Sequence, residues 1–347
     1  MRSFSINVKT ADIVGALRVG ASVGLPLWAL YASDHLHFAV YAAFGALTSL
    51  YGHSENIQRR VETQLVVGAA LVLTLAAAVA YSAAQGPAWL LAVMLPLVVI
   101  GAGTLGAIMG WVPRGEIFFI LVLLVIAGIP VAPDDVLPAL AAGVGGAGFS
   151  ILLTLMERSG EVDPRSIALR VRARTARGTA ALDPTQHAIV IIAAAFGVTC
   201  AWLLALAIHI GHPFWSPVAV AALMPALTST DATRRTIQLM AGTLGGVGLG
   251  ALLFLGEPGP LFLIALIAIC QAIAELFVAR NYAVALLFLT PLAIGMSNLG
   301  RNLPWSPLLI DRAVEAGLGA TVALAMIVIG RVILARAVPQ LGSSAER

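Results

Sequence analysis

Residues 38–68 read FAVYAAFGALTSLYGHSENIQRRVETQLVVG, and residues 214–242 read FWSPVAVAALMPALTSTDATRRTIQLMAG. Both stretches begin with Phe, contain Ala-Leu-Thr-Ser, pass through a polar turn with two adjacent arginines, and enter an apolar run through Gln-Leu-x-x-Gly. The order continues outside these stretches in three matched pairs: Arg114 with Arg280, Gly143 with Gly317, and Gly145 with Gly319. The copies lie about half a chain apart, so the sequence predicts an internal repeat, which determines the architecture.

The composition is that of a chain lying mostly inside a membrane. Hydrophobic residues make up 60% of the 347 residues and charged residues 11%, whereas a soluble domain carries about 25% charged residues. The mean hydropathy is +0.96, and apolar runs of about 20 residues recur, which is typical of transmembrane helices. The runs predict helices at about 12–31, 36–52, 63–84, 87–110, 115–131, 135–156, 187–210, 214–229, 237–255, 260–279, 281–297 and 308–335. The second and eighth are short, which favours tilted or broken helices.

The distribution of arginine predicts the orientation of these helices. Nearly all of the 20 basic residues fall on one side of the membrane if the N-terminus is cytoplasmic, as the positive-inside rule requires. Each half has an even number of helices, so both halves start on the same side. The predicted fold is therefore an all-α integral membrane protein of about 12 transmembrane helices. They form two parallel six-helix repeats related by a pseudo-twofold axis along the membrane normal, with both termini cytoplasmic.

Three segments follow from this arrangement: a first membrane repeat at 1–156, a cytoplasmic linker at 157–186 and a second membrane repeat at 187–347. The linker is polybasic, and Pro164 and Gly178 are candidates for the start and end of a short helix in it. Two interpretations remain: a tether that obeys the positive-inside rule, which we favour, and a surface helix that binds lipid headgroups.

Several functional classes have no support in the sequence. The basic residues do not line a groove-like face, so no nucleic-acid partner is expected. Residues 101–106 match GxGxxG, but they lie inside an apolar run rather than after a soluble strand, and we reject a dinucleotide site. We find no zinc-protease, nucleophile-elbow or P-loop motif. The sequence therefore predicts no enzyme, no metal site and no cofactor.

The recurring arginines are the candidate substrate-binding residues. They are Arg59 and Arg60 in the first copy, Arg234 and Arg235 in the second, and the matched pair Arg114 and Arg280. Topology alone accounts for the side of the membrane on which they lie. The alternative is an electropositive cytoplasmic vestibule around the pseudo-twofold axis, where guanidinium groups bind carboxylates through their planar fork. The sequence leaves both interpretations open.

Glu275 is the most unusual acid, because it lies within a predicted transmembrane helix about one turn from its cytoplasmic end. Gln271 lies one turn deeper on the same face. Acids inside a membrane are costly and often functional, which makes Glu275 and Gln271 the proton-coupling candidates. The alternative is that Glu275 reaches the interface or pairs with Arg280. Glu116 and Glu315 are lesser candidates, and Glu315 has Arg312 on its helix face as a possible local partner.

The second half resembles the fusaric acid resistance protein-like family of the aromatic acid exporter superfamily. The residues that carry the resemblance are Phe214-Trp215-Ser216-Pro217, Arg234-Arg235, Gly242-Thr243-Leu244-Gly245, Arg280-Asn281-Tyr282-Ala283 and Phe288-Leu289-Thr290-Pro291. The first half looks like a diverged copy. The resemblance implies an exporter of aromatic or other organic acids in the bacterial inner membrane, driven by the proton gradient. More distantly, the chain is similar to plant aluminium-activated malate transporters, which pair six-helix units around an anion pore.

The first functional hypothesis is therefore a proton-coupled exporter of small organic anions, with aromatic carboxylates as the main class. Two alternatives remain: a passive channel for organic or inorganic anions, and a non-transporting membrane scaffold subunit. The expected partners are the anionic substrate and the lipid bilayer. A second copy of the chain or a periplasmic adaptor is a further partner that the sequence neither requires nor excludes.

Overall fold

The protein is built from α-helices. The structure is a computed structural model that describes residues 10–113, 116–157, 162–229, 231–301 and 303–337, and no β-strand occurs among these residues. The α-helices are α1 Thr10–Ala32, α2 Ala39–Ala46, α3 Ile57–Ala83, α4 Ala88–Met109, α5 Ile117–Ala127, α6 Val136–Leu155, α7 Ile167–Ala181, α8 Pro184–Ala207, α9 Trp215–Leu223, α10 Ala232–Leu253, α11 Pro260–Val278, α12 Tyr282–Asn298 and α13 Trp305–Ala337. The predicted all-α class is confirmed.

Eight of the described helices are long and apolar enough to cross a membrane: α1, α3, α4, α6, α8, α10, α11 and α13. Four shorter apolar segments lie between them: Leu36–Leu50, Ile117–Ala127, Trp215–Thr228 and Tyr282–Asn298. The chain is therefore a multi-pass membrane protein. The total of twelve spans stays a prediction, because the four short segments fall below the length of about 20 residues that a perpendicular span needs.

Polar residues start several helices, and this moves two helix starts from their predicted positions. Asn56 caps α3 by accepting a hydrogen bond from the backbone N–H of Arg59 at 3.0 Å. With this cap α3 begins at Ile57 rather than near residue 63. Helix α10 also begins earlier than predicted, at Ala232 rather than near residue 237. The apolar pattern placed both starts too late, because the first turns of these helices are polar and carry the paired arginines.

The two helices predicted to be short are each broken into an α-helical and a 3-10 part. Helix α2 continues as a 3-10 turn at Leu47–Leu50, and α9 continues as one at Met224–Thr228. In the first, the Ala46 carbonyl accepts hydrogen bonds from the Ser49 hydroxyl at 2.9 Å and the Ser150 hydroxyl at 3.1 Å. Side chains thus satisfy a backbone group that a continuing α-helix would have satisfied itself.

Glycines bring helix backbones into direct contact. A Cβ added to Gly45 would overlap the Gly143 carbonyl, and one added to Gly146 would overlap the Ala42 carbonyl, so α2 and α6 touch along their main chains. In the second half, Gly242 and Gly246 of α10 lie in the same way against α12. Small residues have this role in membranes, where lipid gives no hydrophobic drive to helix association.

The two halves of the chain have the same order of elements. Helices α1 to α6 run long, short, long, long, short, long, and α8 to α13 repeat this order. The halves meet through α1 on α11 and through α4 on α8, which are reciprocal contacts between equivalent helices. Gly20 and Gly24 lie against Ala268 at the first contact, and Gly103 lies against Ile191 at the second.

The segment between the halves forms the docked helix α7. A 3-10 turn begins at Pro164, as predicted, and α7 follows it. The prediction that Gly178 ends this helix is wrong, because α7 continues to Ala181. Gly178 lies against the Ile108 carbonyl at the end of α4, where a Cβ would overlap the oxygen, so the glycine permits close packing rather than termination.

Candidate functional site

Charged and polar residues from both halves meet on one face of the bundle. This face carries the start of α1, the ends of α6 and α11, the start of α3 and the helix α7, and we call it the linker face. Five residues converge there: Arg18 on α1, His53 before α3, Arg60 on α3, Glu157 after α6 and Glu275 on α11. We call these five residues the charge cluster.

Glu157 joins two arginines within the cluster. Its Oε1 lies 2.5 Å from Nη1 of Arg18, and its Oε2 lies 2.5 Å from Nη1 of Arg60. The Arg18 side chain is buried, with 6% exposed, and the side chains of Arg60 and Glu157 are partly buried, with 13% and 22% exposed. One carboxylate therefore pairs with two guanidinium groups, and the three residues carry a net positive charge.

Arg18 has more hydrogen-bond donors than partners. Its Nε and Nη2 atoms are buried and have no hydrogen-bond partner among the residues that the structure describes. A buried donor without a partner costs about 1–3 kcal/mol, and more when the group is charged. Arg18 therefore keeps two buried donors available within the bundle.

Glu275 faces His53 rather than its expected partner. Its Oε1 lies 3.7 Å from Nδ1 of His53, too long for a hydrogen bond, and its side chain is 10% exposed. Arg280, the partner considered from the sequence, instead pairs with Asp12 of α1. Gln271, one turn along α11, is buried.

His53 connects the cluster to the protein surface. Its side chain is 34% exposed. Burial lowers the pKa of its imidazole below the usual range, and the neighbouring Arg18 and Arg60 lower it further. His53 is therefore neutral at neutral pH and is able to accept a proton.

Arg60 and Arg235, the matched arginines of the two copies, both hold backbone carbonyls. Arg60 donates through Nε to Gly52 at 3.1 Å and through Nη2 to His53 at 3.1 Å. Arg235 donates through Nε to Ala222 at 2.8 Å, and its guanidinium lies 4.7 Å from the centre of the Tyr282 ring. Each therefore supports the short broken segment that precedes its own helix.

The other predicted arginines lie at separate places. Arg59 donates to Glu55 at 3.1 Å, with 54% of its side chain exposed. Arg234 is exposed at the start of α10. Arg280 joins the halves through Asp12, and Arg114 lies outside the described residues. The predicted common vestibule therefore stays a prediction, while the local partners of four arginines are established.

Glu315 is buried in the second half with partners different from those expected. Its Oε2 accepts hydrogen bonds from the backbone N–H groups of Trp215 at 2.8 Å and Ser216 at 2.9 Å. Arg312 stacks on the Trp215 ring at 4.4 Å instead of forming an ion pair with Glu315. Glu315 thus caps the start of α9, which is a structural role.

Sequence reasoning did not select Arg18, His53 or Glu157 as site residues. Arg18 gave a signal, since it interrupts the apolar run of the first helix. Glu157 gave none, because it looks like an ordinary acid after a helix end. Its pairing with Arg18 spans most of the first half of the chain and becomes visible only when α1 and α6 are packed together.

Glu116, in the loop between α4 and α5, is another buried acid. It precedes α5, is 5% exposed and packs against α4, where a Cβ on Gly103 would lie 3.3 Å from its Oε2. Burial raises the pKa of Glu116 to about 7, because the carboxylate loses hydration there.

We expect Glu116 to lower the stability of the protein as the pH rises. The folded state keeps this proton up to about pH 7, whereas the unfolded chain releases it near 4.5. Between these values the folded state binds more protons, so stability falls with rising pH and is constant above about 7. The difference between the pKa of Glu116 in the folded and the unfolded state corresponds to about 3 kcal/mol of stability. Glu116→Gln should therefore raise the thermal unfolding temperature in detergent at pH 8 and leave it unchanged at pH 4. Equal unfolding temperatures at pH 8 would contradict this role.

Residues 200–326 match the sequence profile of the fusaric acid resistance protein-like family. The resemblance predicted from the second-half motifs is thereby confirmed over this region. The chain is also similar to the uncharacterized membrane protein YvaC of Bacillus subtilis (strain 168), with 38% identity over 109 residues. That alignment covers 30% of this chain and 17% of the relative. No solved structure matches the chain.

Proposed function

We propose that this chain is a secondary transporter that exports small organic anions from the bacterial cytoplasm, with aromatic carboxylates as the main substrate class. The family match over residues 200–326 supports a membrane transport role. The proposal extends that role to a substrate class, to proton coupling and to a position in the inner membrane. Under the positive-inside rule the arginines of the linker face assign this face to the cytoplasm. The proposed direction of transport is therefore from the cytoplasm to the periplasm.

The observation that carries the proposal is the unpaired half of Arg18. Its Nε and Nη2 atoms are buried without partners while Nη1 is held by Glu157. A guanidinium fixed at one corner presents its remaining N–H groups as a planar fork, which matches a carboxylate. A bound carboxylate would satisfy both donors and compensate the positive charge that Arg18 and Arg60 share with Glu157.

We also propose that the two halves, 1–156 and 187–347, are parallel repeats joined by the linker at 157–186. Reciprocal packing of α1 on α11 and of α4 on α8 is what two equivalent units related by a twofold axis would give. With this axis along the membrane normal, the short segments of the two halves complete a set of twelve spans with both termini in the cytoplasm.

The recurring arginines have a supporting role in this proposal. Arg59, Arg60, Arg234, Arg235, Arg280 and Arg114 would concentrate anions at the cytoplasmic mouth through their field. Arg59 and Arg234 are exposed at the starts of α3 and α10 and would be the first to meet an arriving carboxylate. Arg18 would receive it inside the bundle.

Uptake into proteoliposomes tests the proposed function. Labelled benzoate and fusaric acid are presented to vesicles with and without a pH gradient, and benzamide serves as the neutral control of similar shape. Protein-free vesicles give the baseline, since protonated aromatic acids cross lipid unaided. We expect gradient-dependent movement of the acids above the protein-free baseline, and movement of benzamide equal to its own protein-free baseline. Equal movement with and without protein would overturn the proposal, and unitary currents in planar bilayers would identify a channel instead.

Glu275 is the residue that we propose to carry the coupled proton. It is buried beside His53, which reaches the surface, and both lie in the cluster that contains Arg18. Protonation of Glu275 and anion binding at Arg18 would then affect each other through a shared field, as coupling requires.

Glu275→Gln mimics the protonated carboxyl with little change of shape. We expect this variant to bind substrate and to remain folded, but to lose the dependence of transport on the pH gradient. Substrate exchange without a gradient should continue, because exchange does not require net proton movement. Gradient-driven transport at the wild-type rate by folded Glu275→Gln would exclude Glu275 as the coupling residue. Loss of folded protein would assign it a packing role.

A further inference from the structure

A pocket of about 700 Å³ lies under the linker helix α7, apart from the charge cluster. Its walls are the start of α3, the end of α4 and one face of α7. Four arginines from two of these elements line it: Arg59, Arg170, Arg174 and Arg177. The pocket is therefore a basic groove that is open to solvent and has secondary structure for its walls.

Helix α7 turns its arginines in two directions. Arg170, Arg174 and Arg177 are spaced by four and three residues, which puts them on one face, and that face lines the pocket. Arg172 and the 70% exposed Leu169 lie outside it. The linker thus divides its charge between an inner face against the bundle and an outer face.

Arg174 fixes the helix over the pocket. It donates through Nε to the Met109 carbonyl at 2.7 Å, through Nη1 to the Thr63 hydroxyl at 2.7 Å and through Nη2 to Glu55 at 3.0 Å. The close contact of Gly178 with Ile108 adds a second attachment. The position of the inner arginines is therefore determined by contacts with α3 and α4 and does not depend on a ligand.

The charges around the pocket do not balance. Among the residues that the structure describes, two acids pair with the four arginines: Glu55, which pairs with Arg59 and Arg174, and Glu62, which lies 4.0 Å from Arg170. Within this described set two positive charges remain uncompensated, and Arg177 donates to the Ala173 carbonyl of its own helix. The start of α3 also faces the pocket at Asn56 and Gln58, and a helix N-terminus adds partial positive charge.

We propose that this pocket binds a phosphate-bearing dianion. A phosphate group carries close to two negative charges at neutral pH and three acceptor oxygens, which matches the two uncompensated charges and the guanidinium donors of Arg170 and Arg177. Ile57, Ile108 and Met109 give the pocket an apolar side for the rest of the ligand. The ligand is either a soluble organic phosphate or the phosphomonoester headgroup of phosphatidic acid, since both present this group.

Two double variants of α7 and the turn before it distinguish binding in the pocket from non-specific attraction of anions to the positive charge of the linker. Arg170→Gln/Arg177→Gln removes the inner arginines, and Arg165→Gln/Arg172→Gln removes the same charge from positions outside the pocket. Neither variant touches Arg174, so both should keep the docked helix. Unfolding temperatures without ligand check this directly.

Binding is measured on the full chain in nanodiscs. Phenyl phosphate is titrated in zwitterionic nanodiscs by calorimetry, and unfolding temperatures are compared between zwitterionic nanodiscs and nanodiscs that contain phosphatidic acid. A soluble ligand predicts phenyl phosphate binding, and a headgroup ligand predicts stabilisation by phosphatidic acid. In the calorimetry arm we expect Arg170→Gln/Arg177→Gln to weaken phenyl phosphate binding by about tenfold or more. In the lipid arm we expect the same variant to lose the rise in unfolding temperature that the anionic lipid gives. Arg165→Gln/Arg172→Gln should keep the wild-type value in both arms. Equal losses in both variants, or no binding in either arm, would overturn the proposal.

Discussion

Gly146→Ala should prevent α2 from packing on α6 and lower the free energy of unfolding by about 3 kcal/mol or more, at the upper end for overpacked sites. A Cβ on Gly146 would overlap the carbonyl oxygen of Ala42, well inside van der Waals contact. That oxygen belongs to a helix backbone, so it is unable to rotate away as a side chain would. On the facing helix Gly45 lies against the Gly143 carbonyl, which closes the same contact from the other side.

Helix α6 contains its own controls for this prediction. Gly145 and Gly148 are exposed on the same helix, and a Cβ on either would meet nothing within 4 Å. Gly145→Ala and Gly148→Ala should keep or raise the unfolding temperature, because alanine favours a helix by about 1 kcal/mol over glycine. Size-exclusion profiles and unfolding temperatures in detergent give the comparison. A Gly146→Ala protein as stable as Gly148→Ala would show that α2 and α6 do not touch as described.

The fold was predictable where a local pattern encodes it. The long apolar runs predicted the long helices, and the brevity of the runs around residues 36–52 and 214–229 predicted the broken segments that the structure contains. The first turns of α3 and α10 were missed, because they are polar and a search for apolar runs does not detect the part of a helix that extends beyond the membrane.

The site was less predictable, because its contacts connect distant parts of the chain. Spacing along α11 offered Arg280 as a partner for Glu275, but α1 lies against α11 and supplies Asp12 to Arg280 instead. The recurrence of Arg60 and Arg235 was visible in the sequence. Their attachment to the Gly52 and Ala222 carbonyls was not, since it depends on the path of the preceding broken segment.

Arg18→Leu should weaken binding of the transported anion by about 10- to 100-fold without destabilising the protein. A hydrogen bond to a charged group contributes about 1.5–3 kcal/mol, and about 1.4 kcal/mol corresponds to a factor of ten. Stability should be equal or higher, because the variant removes buried guanidinium donors that lack partners. Glu157 does not become an isolated charge, since it keeps Arg60 at 2.5 Å.

The change in substrate affinity and the change in stability of Arg18→Leu together distinguish an anion-binding role of Arg18 from a structural ion pair. If Arg18 instead acted by stabilising the fold through its pair with Glu157, Arg18→Leu would lower the unfolding temperature, and transport would fall with the amount of folded protein. Arg18→Lys keeps the charge and loses the planar fork, so it should recover part of the affinity. Arg336→Leu, at an exposed position in the last turn of α13, removes the same charge far from the cluster and should change neither quantity. Substrate affinity from transport kinetics and unfolding temperature in detergent are measured for all three variants. A stable Arg18→Leu protein with wild-type affinity would show that the unpaired donors of Arg18 do not receive the anion.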